Sequence, residues 1–180
     1  MVNDPNMPNP FLILMVFGLA LLVVRAFTTT VHELGHAIAG MILYKGDFDV
    51  YIGTYGDTEK GIHFKVGRLN IHFKYAPFSF SQGVVMYRQE DNSVIKDFIV
   101  TLAGPLASLL ASLICIYSAL FCGFDDLINI DLYILAGSAF SDFWYNIKLD
   151  PEPITLYDGR IAYNDGYRLK HAWNSIRNKP

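Results

Sequence analysis

His32 and His36 stand four residues apart, with Glu33 beside the first, in the run His32-Glu33-Leu34-Gly35-His36. On an α-helix, positions i and i+4 share one face a turn apart, so both imidazoles can reach a single metal ion. Glu33 projects about 100° round the helix from His32. From there its carboxylate can take a proton from a water that the ion activates. The chemistry implied is metal-assisted hydrolysis. A surface helix with two solvated histidines is the plainer reading of the same five residues, and the flanks oppose it. Phe27 and Val31 precede the motif, and Ala37-Ile38-Ala39-Gly40-Met41-Ile42 follows it. Two histidines and a glutamate in apolar surroundings need partners.

A catalytic zinc site generally takes three protein ligands and keeps a position open for water. Beyond His32 and His36 the chain offers His63, His72, His171 and many carboxylates, and composition does not choose among them. His63 and His72 sit in strand-like sequence and read as strand surface.

The elements that must position this motif are long and apolar. The chain has 180 residues, enough for one domain. It is 52% hydrophobic with a mean hydropathy of +0.28, and its apolar residues cluster in blocks as membrane spans do. Three spans are expected, over residues 11–44, 98–121 and 127–147. The first, at 1.5 Å per residue, is roughly 50 Å of helix, longer than a hydrocarbon core of about 30 Å. It must therefore tilt, protrude or bend, and Thr28-Thr29-Thr30 is the expected bend. Arg25 interrupts this span, so it either faces a polar interior or snorkels to an interface. The second span carries Ala103, Gly104, Ala107, Ser108, Ala111 and Ser112 at three- and four-residue spacing, a smooth face for close helix approach. Gly104-Pro105 should loosen it locally. Asp131 and Asp142 make the third span less clean, and Asp142 at that depth suggests a polar interior.

Between the first and second spans, residues 47–88 have strand character. Leu69-Asn70-Ile71-His72-Phe73-Lys74-Tyr75 alternates with period two. Gly67-Arg68 can turn the chain after Ile62-His63-Phe64-Lys65-Val66, and Phe48-Asp49-Val50-Tyr51-Ile52 can add a strand. The expected fold is a mainly α-helical integral membrane protein, with a small antiparallel β-sheet lying against the membrane and a C-terminal interfacial helix. In that helix Leu169, Ala172, Trp173 and Ile176 share one face, which can rest on the interface or on the protein itself.

Charge sets a topology. Lys45, Lys60, Lys65, Arg68, Lys74, Arg88 and Lys96 lie in the first loop, and Arg160, Arg168, Lys170, Arg177 and Lys179 in the tail. The first ten residues and the Asp125-Asp126 connection carry no Lys or Arg. Three spans then place the N-terminus outside and the sheet and tail in the cytoplasm. The same lack of early basic residues removes the n-region of a signal peptide, so the first span is expected to be retained. A net charge of -3 without a basic, aromatic-laced patch argues against nucleic acid. Cys115 and Cys122, both in apolar sequence, cannot make a disulfide framework.

The order of three features, His32-Glu33-Leu34-Gly35-His36, then Ala103-Gly104-Pro105 in the next span, then a late Asp158-Gly159 after prolines, resembles the site-2 protease family of intramembrane zinc metalloproteases. The resemblance covers roughly residues 15–165. It implies one Zn2+ held by His32, His36 and Asp158, with Glu33 as the catalytic residue. Pro151 and Pro153 would end the third helix and let an irregular segment bring Asp158 back into a protein-lined cavity. Asp142 and Asp150 are further candidates for the metal. Two positions depart from the family pattern. Ser108 stands where an asparagine commonly follows the Gly-Pro, and Asn146 precedes Asp158 by more than the family's usual gap.

The resemblance further implies hydrolysis of peptide bonds in membrane-spanning or membrane-associated substrates, as in regulated intramembrane proteolysis. The substrate must be extended at the cut, and the sheet edge near residues 69–75 is expected to hold it as an added strand. The alternative is a catalytically inactive zinc-containing membrane binding protein of the same fold. An intact Glu33 argues against it, and the absence of an inverted repeat argues against a transporter.

Overall fold

The computed structural model describes residues 9–88 and 93–178. Residues 1–8 and Lys179, which enter the topology expectation, lie outside them. Helix α1 runs from Pro10 to Leu43. The Asn9 side chain accepts from the Phe11 N–H at 2.9 Å and Pro10 occupies the first turn, a start in which the missing proline N–H costs nothing. The first half of α1 has almost no protein against it: Phe11 is 73% exposed and Val23 68%. Its buried residues begin at Thr28 and recur as Thr29, His32, Glu33, His36, Ala37 and Gly40, the stripe of one helical face.

The helix passes through Thr28–Thr30 without interruption. Instead of breaking it, Thr28 and Thr30 donate their hydroxyls back to the carbonyls of Arg25 and Ala26. Helix α2, Val94–Phe121, starts a turn earlier than expected because Ser93 caps it, and it also continues through Pro105. Helix α3 spans Asp126–Ile147, capped by Asp125. Among the described residues, α1 and α2 are long and apolar enough to cross a membrane. The small residues of α2 do admit a neighbour: a Cβ placed on Gly35 of α1 would lie 2.6 Å from the Ala103 carbonyl oxygen and 2.7 Å from the Ala107 Cβ.

Four strands follow α1: β1 Phe48–Ile52, β2 Gly61–Val66, β3 Leu69–Lys74 and β4 Gly83–Tyr87. They form one sheet in the order β2-β3-β1-β4. The sheet is mixed, not purely antiparallel. The β2–β3 hairpin folds back so that β3, not β2, lies beside β1, and the β1–β3 pair runs parallel with Val50 opposite Ile71. Strand β3 is thereby interior, so residues 69–74 have no free edge, and among the described residues the open edges belong to β2 and β4. One face of the sheet packs Phe48, Val50, Ile52 and Ile71 against Ala37 of α1, Tyr44 just after its end and Val100 of α2. Gly40 is required there, because any Cβ would meet the Phe48 ring.

After α3 the chain turns irregular at Pro151 and Pro153, then forms a two-strand ribbon, β5 Ile154–Thr155 and β6 Ile161–Ala162, and ends in α4, Asp165–Arg177. Helix α4 buries Leu169, and Trp173 packs 6.1 Å from the Phe98 ring of α2, so this helix rests on the protein.

Arg25 faces inward. Its guanidinium meets Asp142 of α3 at 2.7 Å and Ser138 at 3.4 Å. Asp142 is thus a partner for Arg25 and not for the histidines. Asp142 is buried while Arg25 keeps about a third of its side chain exposed. Removing one member of a fully buried pair costs about 3–5 kcal/mol, which is the upper bound here, whereas replacing both with apolar residues is often neutral. Asp142→Leu is therefore expected to lower the unfolding temperature in detergent markedly, and Arg25→Leu combined with Asp142→Leu to recover most of the loss. Equal destabilisation by the single and double variants would show that the pair carries no such role.

Candidate metal centre

The buried stripe of α1 points His32 and His36 at the start of α4. Their Nε2 atoms lie 3.2 Å apart, and each is 3.1 Å from the Oδ2 of Asp165. All three side chains are buried, and they form the one group of three such donors found together among the described residues.

The far side of each ring fixes what the near side offers. His36 Nδ1 lies 2.7 Å from the Val100 carbonyl oxygen, which only accepts, so Nδ1 carries the proton and Nε2 is left with its lone pair. His32 Nδ1 lies 3.0 Å from the hydroxyl of Ser108, which is fully buried. The bare Nε2 of His36 and the carboxylate oxygen of Asp165, 3.1 Å apart, repel one another unless a proton or a cation sits between them. A metal ion meets that need, and outer partners of this kind hold metal-binding histidines in place. Ser108, where the family resemblance expects asparagine, takes up this outer role.

Helix α2 also makes room. A Cβ on Gly104 would run into the His36 ring, so only glycine lets the imidazole lie against the helix backbone. This is a more specific use than helix packing alone.

Asp165, not Asp158, is the acid brought to the histidines. Three consecutive residues arrange this. Asn164 caps α4, accepting from the Tyr167 N–H at 3.0 Å, and donates its amide to the Lys148 carbonyl at 2.7 Å. Asp165 falls in the first turn, where a negative charge is favoured. Gly166 lets α4 press on the carbonyls at the end of α3, where a Cβ would collide. Burial works to raise the Asp165 pKa, but any positive charge shared among the two imidazoles, His36 foremost, outweighs it and holds the carboxyl well below the usual carboxylate range. Its second oxygen lies 3.6 Å from Arg168.

Asp158 sits in the turn joining β5 and β6, exposed, its carboxylate accepting from the Arg160 backbone N–H at 3.0 Å and its Nε at 2.7 Å. Gly159, at φ +82°, completes that turn. The Arg160 backbone and side chain lower the Asp158 pKa, as expected of a solvated turn carboxylate. Asp150 caps the Glu152 N–H and is likewise away from the histidines.

Glu33 is buried beside the two imidazoles and lines a cavity of about 90 Å³ together with Tyr55, Asn146 and the edge strand β4. Gly83 of β4 permits this closeness: a Cβ there would lie 2.5 Å from Glu33 Oε1. A second small cavity behind Glu33 is lined by Thr29, Tyr55, Asp142 and Asn146. An open cleft of about 530 Å³ adjoins the first, walled by β4 on one side and by Leu156, Ala162 and Tyr163 on the other. Tyr55 and Gly83 carry no sequence signal of their own. No family profile and no curated protein matches this chain.

Proposed function

We propose that this chain is an intramembrane zinc metalloprotease of the site-2 protease type, with His32, His36 and Asp165 as the ligands and Glu33 as the base. The observation that carries the reading is Glu33 lying buried beside a convergent His-His-Asp triangle at the inner end of an apolar helix. Zinc is the ion that suits this donor set. Ligand atoms about 2.0–2.1 Å from a tetrahedral ion are about 3.3 Å apart, close to the 3.1–3.2 Å of the triangle. The three motifs of the family resemblance are retained, with Asp165-Gly166 as the late Asp-Gly.

Zinc bound there would supply Lewis acidity, lowering the pKa of water toward neutrality and polarising a scissile carbonyl. Glu33 accepts the proton of the attacking water and passes it to the leaving amine. Burial first, and then the charge of Glu33, push the Tyr55 phenol above its ordinary pKa, so it stays protonated as a hydrogen-bond donor facing the cavity. The free edge of β4 borders the cleft, and an extended substrate segment can pair with it and lie over the triangle. A helical segment cannot, because its own hydrogen bonds use the groups the edge would meet.

The reading takes α3 as a third span beside the apolar α1 and α2, which would put the site at membrane depth. The Arg25–Asp142 pair offers α3 a way to carry an acidic residue there. The loop and tail charges then put the sheet and C-terminus in the cytoplasm. The partners are a membrane-spanning or membrane-associated peptide and the bilayer.

Metal analysis and a cleavage assay on detergent-purified protein test this together. About one zinc per chain is expected, with cleavage of a single-span peptide that is lost on chelation and restored by zinc. Cleavage indifferent to chelation would refute the metal mechanism. Bound zinc without cleavage of any co-expressed membrane peptide would favour the inactive binding protein.

A further inference from the structure

The face of the sheet turned away from α1 carries a second constellation that the buried centre does not use. His63 of β2 and His72 of β3 stand directly opposite each other. The hairpin between them closes through Gly67-Arg68 with Gly67 at φ +60°, a type II′ arrangement. The closing pair Val66–Leu69 of such a two-residue loop is hydrogen bonded. Alternation along the ladder then makes His63–His72 a non-hydrogen-bonded pair, in which side chains approach most closely. Their Nδ1 atoms are 2.7 Å apart.

His72 is held from two other directions. Its Nε2 lies 3.2 Å from Asp49 Oδ1 of β1, and its ring stacks on Tyr51 with centroids 4.5 Å apart. Asp49 is itself fixed by the Asn70 amide at 3.0 Å. A carboxylate on Nε2 places the proton there and leaves the Nδ1 lone pair facing His63. A carboxylate behind the ring is also the outer arrangement that orients a metal-binding histidine and raises its basicity. In the metal-free state one proton on His63 Nδ1 satisfies the pair.

We propose that His63 and His72 form a second, surface metal site that chelates a Cu2+ or Ni2+ ion through the two Nδ1 atoms, with Asp49 as the positioning residue. Two imidazole nitrogens bound cis at about 2.0–2.1 Å are about 2.9 Å apart, as square or tetragonal ions require. The observed 2.7 Å is nearer to that than to the tetrahedral spacing of about 3.3 Å. The two sites thus differ in the ion they suit. The ion takes the place of the shared proton, and water fills its remaining positions.

Titration of the full-length, zinc-loaded protein in detergent with Cu2+, followed by electron paramagnetic resonance, tests this. One equivalent bound beyond the zinc is expected, with hyperfine splitting from two imidazole nitrogens. His63→Ala and His72→Ala should each weaken that equivalent by more than about 100-fold, beyond the outer-partner range, and lose the two-nitrogen pattern. Asp49→Asn should keep both nitrogens yet weaken binding about 10–100-fold. His32→Ala should leave the copper signal intact, so the result stands apart from the protease reading. No second equivalent in the wild type, or copper binding unchanged by His63→Ala and His72→Ala, would overturn the proposal.

Discussion

Asp165→Ala is expected to release the metal and abolish hydrolysis, while Asp158→Ala leaves both close to wild type. Asp165 Oδ2 is equidistant from the two imidazoles at 3.1 Å, and no other carboxylate joins the group among the described residues. Changes to outer partners of a metal site already cost about 10–100-fold in affinity, so loss of a ligand should cost about 10³-fold or more. The two histidines, left without their counter-charge in a buried pocket, would then lack both a third ligand and a stabilising anion. Among the described residues the Asp158 carboxylate meets Arg160, two residues on in the same exposed turn, and such surface pairs contribute little. Metal content by mass spectrometry and cleavage by gel shift read both variants. Zinc lost from Asp158→Ala and kept by Asp165→Ala would reverse the assignment.

How much of this was legible in the sequence depended on range. The histidine pair and Glu33 follow from the 3.6-residue period alone, and the structure puts them on one buried stripe of α1. Strands β1 to β3 were readable for a like reason, from their period-two alternation, whereas β4, the non-alternating Gly83-Val84-Val85-Met86-Tyr87 beside the site, was not. Pairing was not: that β3 lies parallel to β1 depends on how the intervening hairpin folds back, which no local pattern encodes. The contact of Arg25 with Asp142, and that of His32 with Ser108, 76 residues on, are likewise products of helix packing.

The acid brought to the two histidines is a different case, because a local signal existed. The chain has two Asp-Gly pairs, and both are used as their surroundings dictate. Tyr157-Asp158-Gly159 lies between two short strands and becomes a turn. Asn164-Asp165-Gly166 precedes the amphipathic run Leu169, Ala172, Trp173 and Ile176, and becomes a helix start. Weighting the asparagine as a cap would have separated the carboxylate on a rigid helix from the one on a solvated turn.

Glu33→Gln is expected to keep the metal and lose the reaction. The substitution preserves shape, which matters because Gly83 leaves no spare room against this side chain. It removes the one property a base needs. Neither His32 nor His36 nor Asp165 takes a contact from Glu33 that holds it in place: Ser108 and the Val100 carbonyl orient the rings, and Asn164 and Gly166 set the start of α4. Metal content should therefore stay near wild type. A positioned general base contributes about 10²–10⁴-fold, so turnover should fall by at least the lower figure. The pairing of results is what discriminates. Metal lost together with activity would make Glu33 part of the scaffold. Undiminished turnover with metal in place would remove the base from the mechanism, and with it the reason for a glutamate buried between two imidazoles and an edge strand.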